Sequence, residues 1–201
     1  MNVGGFIIAA VLLTLMPGPD ILFVITQSIT QGRKAGIVFA SGLCTGLIFH
    51  VIAVSLGVSV VLAESPFAFS LLKLAGAAYL VYLGVMAFLH RKQTALRFTA
   101  GSHVSRLYRK GIWMNLLNPK VILFFLAFFP QFIDAEAGRP VFQMFFLGFL
   151  FIIQAVCIFS TVAVLADNLS ERLMKNPKFS LGMNIAEAVI YCGIGITILF
   201  V

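Results

Sequence analysis

Two charged residues lie where a membrane-crossing segment should hold none. Asp20 sits in "LMPGPDILF" (Leu15 to Phe23) and Lys120 in "NLLNPKVILF" (Asn115 to Phe124), each beside helix breakers and inside a long apolar run. A carboxylate there can accept hydrogen bonds from an ammonium group or take up a proton; a lysine can donate to a carboxylate. The breakers add directional chemistry. Asn118 followed by Pro119 reads as an N-cap and an N1 proline, and Pro19 can open a new half-helix in the same way. Both breaks then present helix N-termini, with free N–H groups and partial positive charge, a ready site for a carboxylate. Gly18, Pro19, Asp20, Asn118, Pro119 and Lys120 are therefore the candidate binding residues. Together they offer what a zwitterionic amino acid needs, donors for its carboxylate and an acceptor for its ammonium. The structural alternative is that the prolines only kink helices and that Asp20 and Lys120 only neutralise each other. Intramembrane charges are costly and usually face an internal cavity or pathway, so two matched breaks with opposite charges favour the functional reading.

The elements that must hold these residues are transmembrane helices. The chain has 201 residues, of which 61% are hydrophobic and 10% charged, with 21 Phe. A soluble domain has about 45–50% apolar residues and about 25% charged; this excess cannot be buried in a core of this size. Six apolar runs, at about 4–29, 36–63, 66–89, 111–133, 141–166 and 180–200, are each long enough to cross hydrocarbon. The fold expected is an all-α integral membrane protein in one transmembrane domain over 1–201. The net charge of +7 falls almost wholly in the gaps. Arg33 and Lys34 follow the first run. Arg91, Lys92, Arg97, Arg106, Arg109 and Lys110 follow the third, and Arg172, Lys175 and Lys178 the fifth. The alternate gaps hold only Arg139. Positive-inside bias puts loops 30–35, 90–110 and 167–179 in the cytoplasm and both termini outside. That also accounts for the basic central loop without nucleic acid as a partner. The N-terminus lacks a basic n-region and a small-residue cleavage site, so the first run is expected to be retained.

Short matches suggest internal repetition. "GRKAGIVFASG" (Gly32 to Gly42) resembles "GRPVFQMFFLG" (Gly138 to Gly148); "PDILF" (Pro19 to Phe23) resembles "PKVILF" (Pro119 to Phe124); "AGAAYLVYLG" (Ala75 to Gly84) lies on "AEAVIYCGIG" (Ala186 to Gly195). In this order they divide the chain into a repeat of about 1–89, the basic loop 90–110, and a repeat of about 111–201. An odd number of spans per repeat forces opposite orientations, the inverted plan of many secondary transporters, in which paired Gly/Pro interruptions mark the binding site. Both breaks lie about nine residues from the cytoplasmic ends of their spans, roughly 13 Å in at about 1.5 Å per residue. They come to one level near the middle of the membrane although their spans run in opposite directions.

Other intramembrane polar residues are secondary candidates. His50 is either a packing residue or a proton carrier. Glu187, in an otherwise apolar run, either couples protons or pairs with Lys73, which can also snorkel to the surface. Asp20, His50 and Glu187 are thus the proton-coupling candidates. Gln131, Gln143 and Gln154 either line a cavity or bridge helices. Gly42 and Gly46, at four-residue spacing, permit close helix contact. The three cysteines, Cys44, Cys157 and Cys192, have neither paired nor metal spacing, which argues against a thiol–disulfide electron carrier. A metal exporter would want clustered carboxylate, His or thiolate ligands, and only Asp20, His50 and Glu187 are available. No P-loop, zinc motif or nucleophile elbow occurs, so neither an enzyme, a resident metal nor a cofactor is expected.

At these residues the chain resembles the LysE/RhtB family of bacterial amino-acid exporters. The resemblance runs through "PGPD" at 17–20, "GRKAG" at 32–36, "GLCTGLIFH" at 42–50, "LKLAGAAYLVYLG" at 72–84 and "NLLNPKVILFFLAFFPQF" at 115–132. The final third matches more loosely, and Glu187 stands where a Gly is expected. The resemblance implies a multi-pass protein of the bacterial inner membrane that exports amino acids from the cytoplasm, driven by the proton gradient, and that assembles as dimers. One internal lysine and few internal acids favour the neutral amino-acid branch over the basic one.

Overall fold

A computed structural model describes residues 1–64, 66–89, 104–134 and 137–167, with Asn176, Lys178, Leu181, Gly182, Ile185, Ala188, Val189, Cys192, Gly193, Gly195 and Ile196. Side chains are not described at 58–66, 68–69 and 72–73. Glu187, the side chain of Lys73, most of the central loop and more than half of the sixth run lie outside the described residues.

Every element among the described residues is helical. Helix α1 (Val3–Leu15) and α2 (Pro19–Gln31) make the first run, α3 (Arg33–Glu64) the second and α4 (Pro66–Leu89) the third. The fourth run is α5 (Val104–Leu116), α6 (Pro119–Leu123), a π turn at Phe124–Phe128 and a 3-10 turn at Phe129–Phe132; α7 (Pro140–Ala166) is the fifth. Helices α3 and α7 are each long and apolar enough to cross a membrane unaided. The first and fourth runs qualify as spans bent by 54° and 47° at their breaks. The fourth run begins earlier than its apolar pattern: Arg106, Arg109 and Lys110, expected in a loop, occupy the first turns of α5. Lysine and arginine are good helix formers, and Lys110 folds back so that its ammonium lies 3.9 Å from the centre of the Phe23 ring.

Helix α3 is the central strut. It runs parallel to α5, because Gly42 meets Tyr108 and Gly111 while Gly46 meets Asn115. It runs antiparallel to α7: Gly36 near its start faces Ala163, and Gly148 near the start of α7 faces Val51. At Gly42 and Gly111 the two backbones touch. A Cβ at Gly42 would lie 2.1 Å from the Tyr108 carbonyl oxygen, and one at Gly111 would lie 2.4 Å from that of Phe39. The Gly42/Gly46 spacing therefore serves a contact within the chain.

Both ends of the bundle are pinned. At one end Gly32, with φ +81°, turns α2 into α3 in a single residue. Asp167, at the end of α7, accepts from the backbone N–H of Arg33 at 3.1 Å, satisfying a free donor of the α3 N-terminus. At the other end the Met1 amino group lies 3.3 Å from the Asp134 carboxylate. There too Gln143 donates to the Asp134 and Gly138 carbonyls and accepts from Asp134 N–H, closing the turn into α7. Between the ends lies an aromatic core. Phe6 of α1 packs edge-on against Phe129 at 5.2 Å between ring centres, and Phe151 of α7 meets Phe124 at 5.3 Å and Phe125 at 5.2 Å. Those rings come from the segment "FFLAFFP", whose Pro130 cannot donate to the helix ladder. The backbone takes up the irregularity as an i→i+5 bond from Phe129 N–H to the Phe124 carbonyl.

Candidate functional site

Each break opens a new helix and turns the next side chain inward. Pro19 and Pro119 stand at the first helical positions and are themselves exposed. Asp20 and Lys120, one residue on, are 2% exposed and face each other. The Lys120 ammonium lies 3.3 Å from Asp20 Oδ2 and 3.4 Å from Oδ1. It also donates to the Met16 carbonyl at 3.5 Å. That carbonyl belongs to the last residue before the first break, where the helix ladder stops. Each break thus supplies a partner for a group left free by the other. The sequence expectation that Asp20 and Lys120 come to one level is met by direct contact.

The two helix N-termini are not equivalent. Asn118 Oδ1 accepts from the backbone N–H of Lys120 at 3.0 Å, so one donor of α6 is already capped. The α2 N-terminus begins at Gly18, which has no side chain to cap it. Gly18, Pro19 and Pro119 thus act through the backbone they shape, while Asp20, Asn118 and Lys120 supply side chains.

Beside the ion pair lies a cavity of ≈ 10 Å³, room for about one water. Its polar lining is Asp20, Lys120, Thr14 and Asn115; Leu13, Leu47, Val121, Phe151 and Phe159 complete it. Thr14 and Asn115 do not stand out in the sequence, being uncharged residues in long helical runs. The one available signal is spacing: Asn115 lies three residues before Asn118, one turn away on the same face. Asn115 is 1% exposed, and its Oδ1 has no hydrogen-bond partner; the same holds for Asn118 Nδ2. Thr14 accepts from Gln154 Nε2 of α7 at 2.9 Å, so Gln154 bridges helices next to the cavity. Gln131 instead bonds within its own segment, to the Ala127 carbonyl, and Gln143 closes the turn described above.

His50 reaches the second break from α3. Its Nε2 lies 3.3 Å from the Asn115 carbonyl oxygen, and its ring stacks on Phe125. The residue that would normally donate to that carbonyl, four positions on, is Pro119, which has no N–H. The Asn118 N–H, one residue earlier, donates to this carbonyl at 3.0 Å, so His50 adds a second contact to an acceptor that is already bonded. His50 is not part of the cavity lining.

Comparison with known proteins supplies the lineage of this arrangement. Residues 11–200 match the family described as the LysE type translocator. The chain belongs to the LysE family of translocators. This LysE protein is 32% identical over 191 residues to a homoserine/homoserine lactone efflux protein of Salmonella typhimurium, covering 94% of this chain and 92% of the relative. It is 33% identical over 201 residues to the uncharacterized membrane protein YrhP of Bacillus subtilis, covering 95% of each. An uncharacterized membrane protein of Vibrio cholerae is 33% identical over 195 residues, covering 94% of this chain and 92% of that one. No solved structure matches the LysE chain.

Proposed function

We propose that this LysE protein is a secondary active transporter that exports small neutral amino acids from the cytoplasm in exchange for protons. The observation that carries this reading is the buried contact between Asp20 and Lys120 where the two broken helices meet. The site offers one carboxylate for an ammonium, with Lys120 and free helix N–H groups for a carboxylate, which is the complement of a zwitterion. A dibasic substrate would add a second ammonium for which the described lining holds no second carboxylate, which costs several kcal/mol. The carboxylate of the substrate rests on the free N–H groups of α2 and on Asn118 and Lys120; its ammonium takes Asp20. The homoserine efflux relative agrees with a small neutral substrate.

A cavity of ≈ 10 Å³ does not hold an amino acid, so loading separates the half-helices, with the breaks as hinges. Alternating access of two inverted three-helix repeats then exposes the site to each side in turn. The protein resides in the inner membrane, with both termini outside. Asp20, His50, Glu187 and the lysine paired with Asp20 are the ionisable candidates for the coupling proton.

Asp20→Asn tests the assignment. In cells preloaded with L-homoserine the variant, though less stable than the wild type, should be inserted and lose export when normalised to the amount in the membrane. Full export by Asp20→Asn would sink the site, and failure of the wild type to move any neutral amino acid against a pH gradient in proteoliposomes would sink the function.

A further inference from the structure

We propose that Lys120 is the proton carrier of this exporter: its ammonium and the ammonium of the substrate compete for one carboxylate, Asp20, and the lysine yields by giving up its proton. This rests on the reading of the protein as a proton-coupled amino-acid exporter.

The geometry makes the competition direct. Three acceptors surround the Lys120 ammonium, the two Asp20 oxygens and the Met16 carbonyl, at 3.3 to 3.5 Å. A primary ammonium has three N–H donors, so the lysine occupies the set of acceptors that the α-ammonium of an amino acid would use. The adjoining space holds about one water, so a second ammonium cannot simply be added beside the first. The groups that face the pair from the packed helices are otherwise uncharged: Thr14 on α1, Leu47 on α3, Asn115 on α5, and Phe151 and Phe159 on α7. His50, the titratable group nearest in the hydrogen-bond network, is engaged with the Asn115 carbonyl. Among the described lining residues, Asp20 is thus the sole carboxylate for two cations.

Once the substrate ammonium holds the Asp20 oxygens and the Met16 carbonyl, and the substrate carboxylate rests on the free N–H groups of α2, a protonated Lys120 is left away from water without its acceptors, which is strongly unfavourable. The substrate brings its own carboxylate and stays neutral overall. Lys120 brings none, and its charge can leave as a proton. The cycle balances without a further participant. On the cytoplasmic side the substrate ammonium takes Asp20, and Lys120 –NH3⁺ releases H⁺ to cytoplasmic water as –NH2, which still donates a hydrogen bond to the substrate carboxylate. On the outer side the substrate leaves, –NH2 takes H⁺ from external water, and the Lys120–Asp20 pair re-forms. One proton enters for each amino acid that leaves. Asp20 stays ionised throughout, paired with lysine when the carrier is empty and with substrate when it is loaded.

Two measurements test this. In proteoliposomes, Lys120→Gln should lower pH-gradient-driven transport of L-homoserine on the order of a hundred-fold, because the empty carrier must reorient with a stranded carboxylate. Homoserine–homoserine exchange, in which the carboxylate stays paired with substrate, should fall less than about ten-fold. An equal loss of both activities, or retained pH-gradient-driven transport, overturns the proposal. The second measurement uses the wild type and does not depend on the folding of a variant. L-Homoserine binding to the purified protein in weak buffer should release a proton, with no loss of a protonated-carboxyl band in infrared difference spectra. Loss of that band would make a carboxyl group the carrier, and absence of proton release would remove the competition; either result overturns the proposal. If instead the wild type transports no neutral amino acid at all, it is the functional reading that fails.

Discussion

Removing one member of the Asp20–Lys120 pair should destabilise the protein far more than removing both. The two side chains are 3% and 2% exposed. Asp20→Asn leaves a buried ammonium without its counter-charge, and Lys120→Met leaves a buried carboxylate with no cation beside it among the described residues. Stranding a buried charge in this way costs about 3–5 kcal/mol. The double variant strands nothing. It exchanges a desolvated ion pair for a neutral amide and a thioether of similar volume, which places it within about 1–2 kcal/mol of the wild type. The coupling between the two sites is then several kcal/mol, well beyond the ≈ 0.3–0.5 kcal/mol scatter expected of independent sites. Trp113 is the only tryptophan of the chain and lies on α5 close to the second break, so its fluorescence reports on this region. Equilibrium unfolding of the four proteins in mixed detergent micelles, followed by that fluorescence, gives the cycle. If the two single variants are each near neutral, or if their effects add in the double variant, the two groups are not each other's principal partners and the reasoning is refuted.

Gly42→Ala should lower the thermal midpoint of the purified protein, because its Cβ would sit 2.1 Å from a backbone oxygen that cannot rotate away. Overpacking of this kind costs about 1–3 kcal/mol. Gly57→Ala, where nothing lies within 4 Å, should not lower it; equal effects at the two positions would show that α3 and α5 are not in backbone contact. Asn115→Leu should raise the KM for L-homoserine by about three- to ten-fold relative to that for L-alanine, the worth of one hydrogen bond to the substrate hydroxyl. An unchanged ratio in a proteoliposome uptake assay would remove Asn115 from the substrate wall.

The long apolar helices and the two breaks were legible because the bilayer permits few alternatives. A run such as Pro140–Ala166 has nowhere else to go, and Pro beside Asn or Gly inside such a run must interrupt the hydrogen-bond ladder. The meeting of Asp20 with Lys120 was legible at the level of depth, since both lie a similar distance from one end of oppositely directed spans. Other features depended on packing that no local pattern encodes. Thr14 and Asn115 become site residues only because α1, α5 and α7 converge there. The π turn at Phe124–Phe128, just before Pro130, is visible only with the rings of that segment packed against Phe6 and Phe151. His50 stood out as polar in an apolar run, but its partner, the Asn115 carbonyl beside the second break, is visible only in three dimensions. The extension of α5 back to Val104 was hidden because its first turns are basic, and hydropathy ends a span where charge begins.

The small cavity beside the ion pair also bears on the membrane around it. A bilayer that stores a proton gradient is an insulator, and every carrier embedded in it is a potential short circuit. Proton conduction along water requires an unbroken file of molecules across about 30 Å of hydrocarbon. A pocket that admits about one water, walled by Leu13, Leu47, Phe151 and Phe159, is too small to hold such a file. In a carrier of the kind proposed, tight apolar packing around the Asp20–Lys120 pair would oppose proton leakage between transport events.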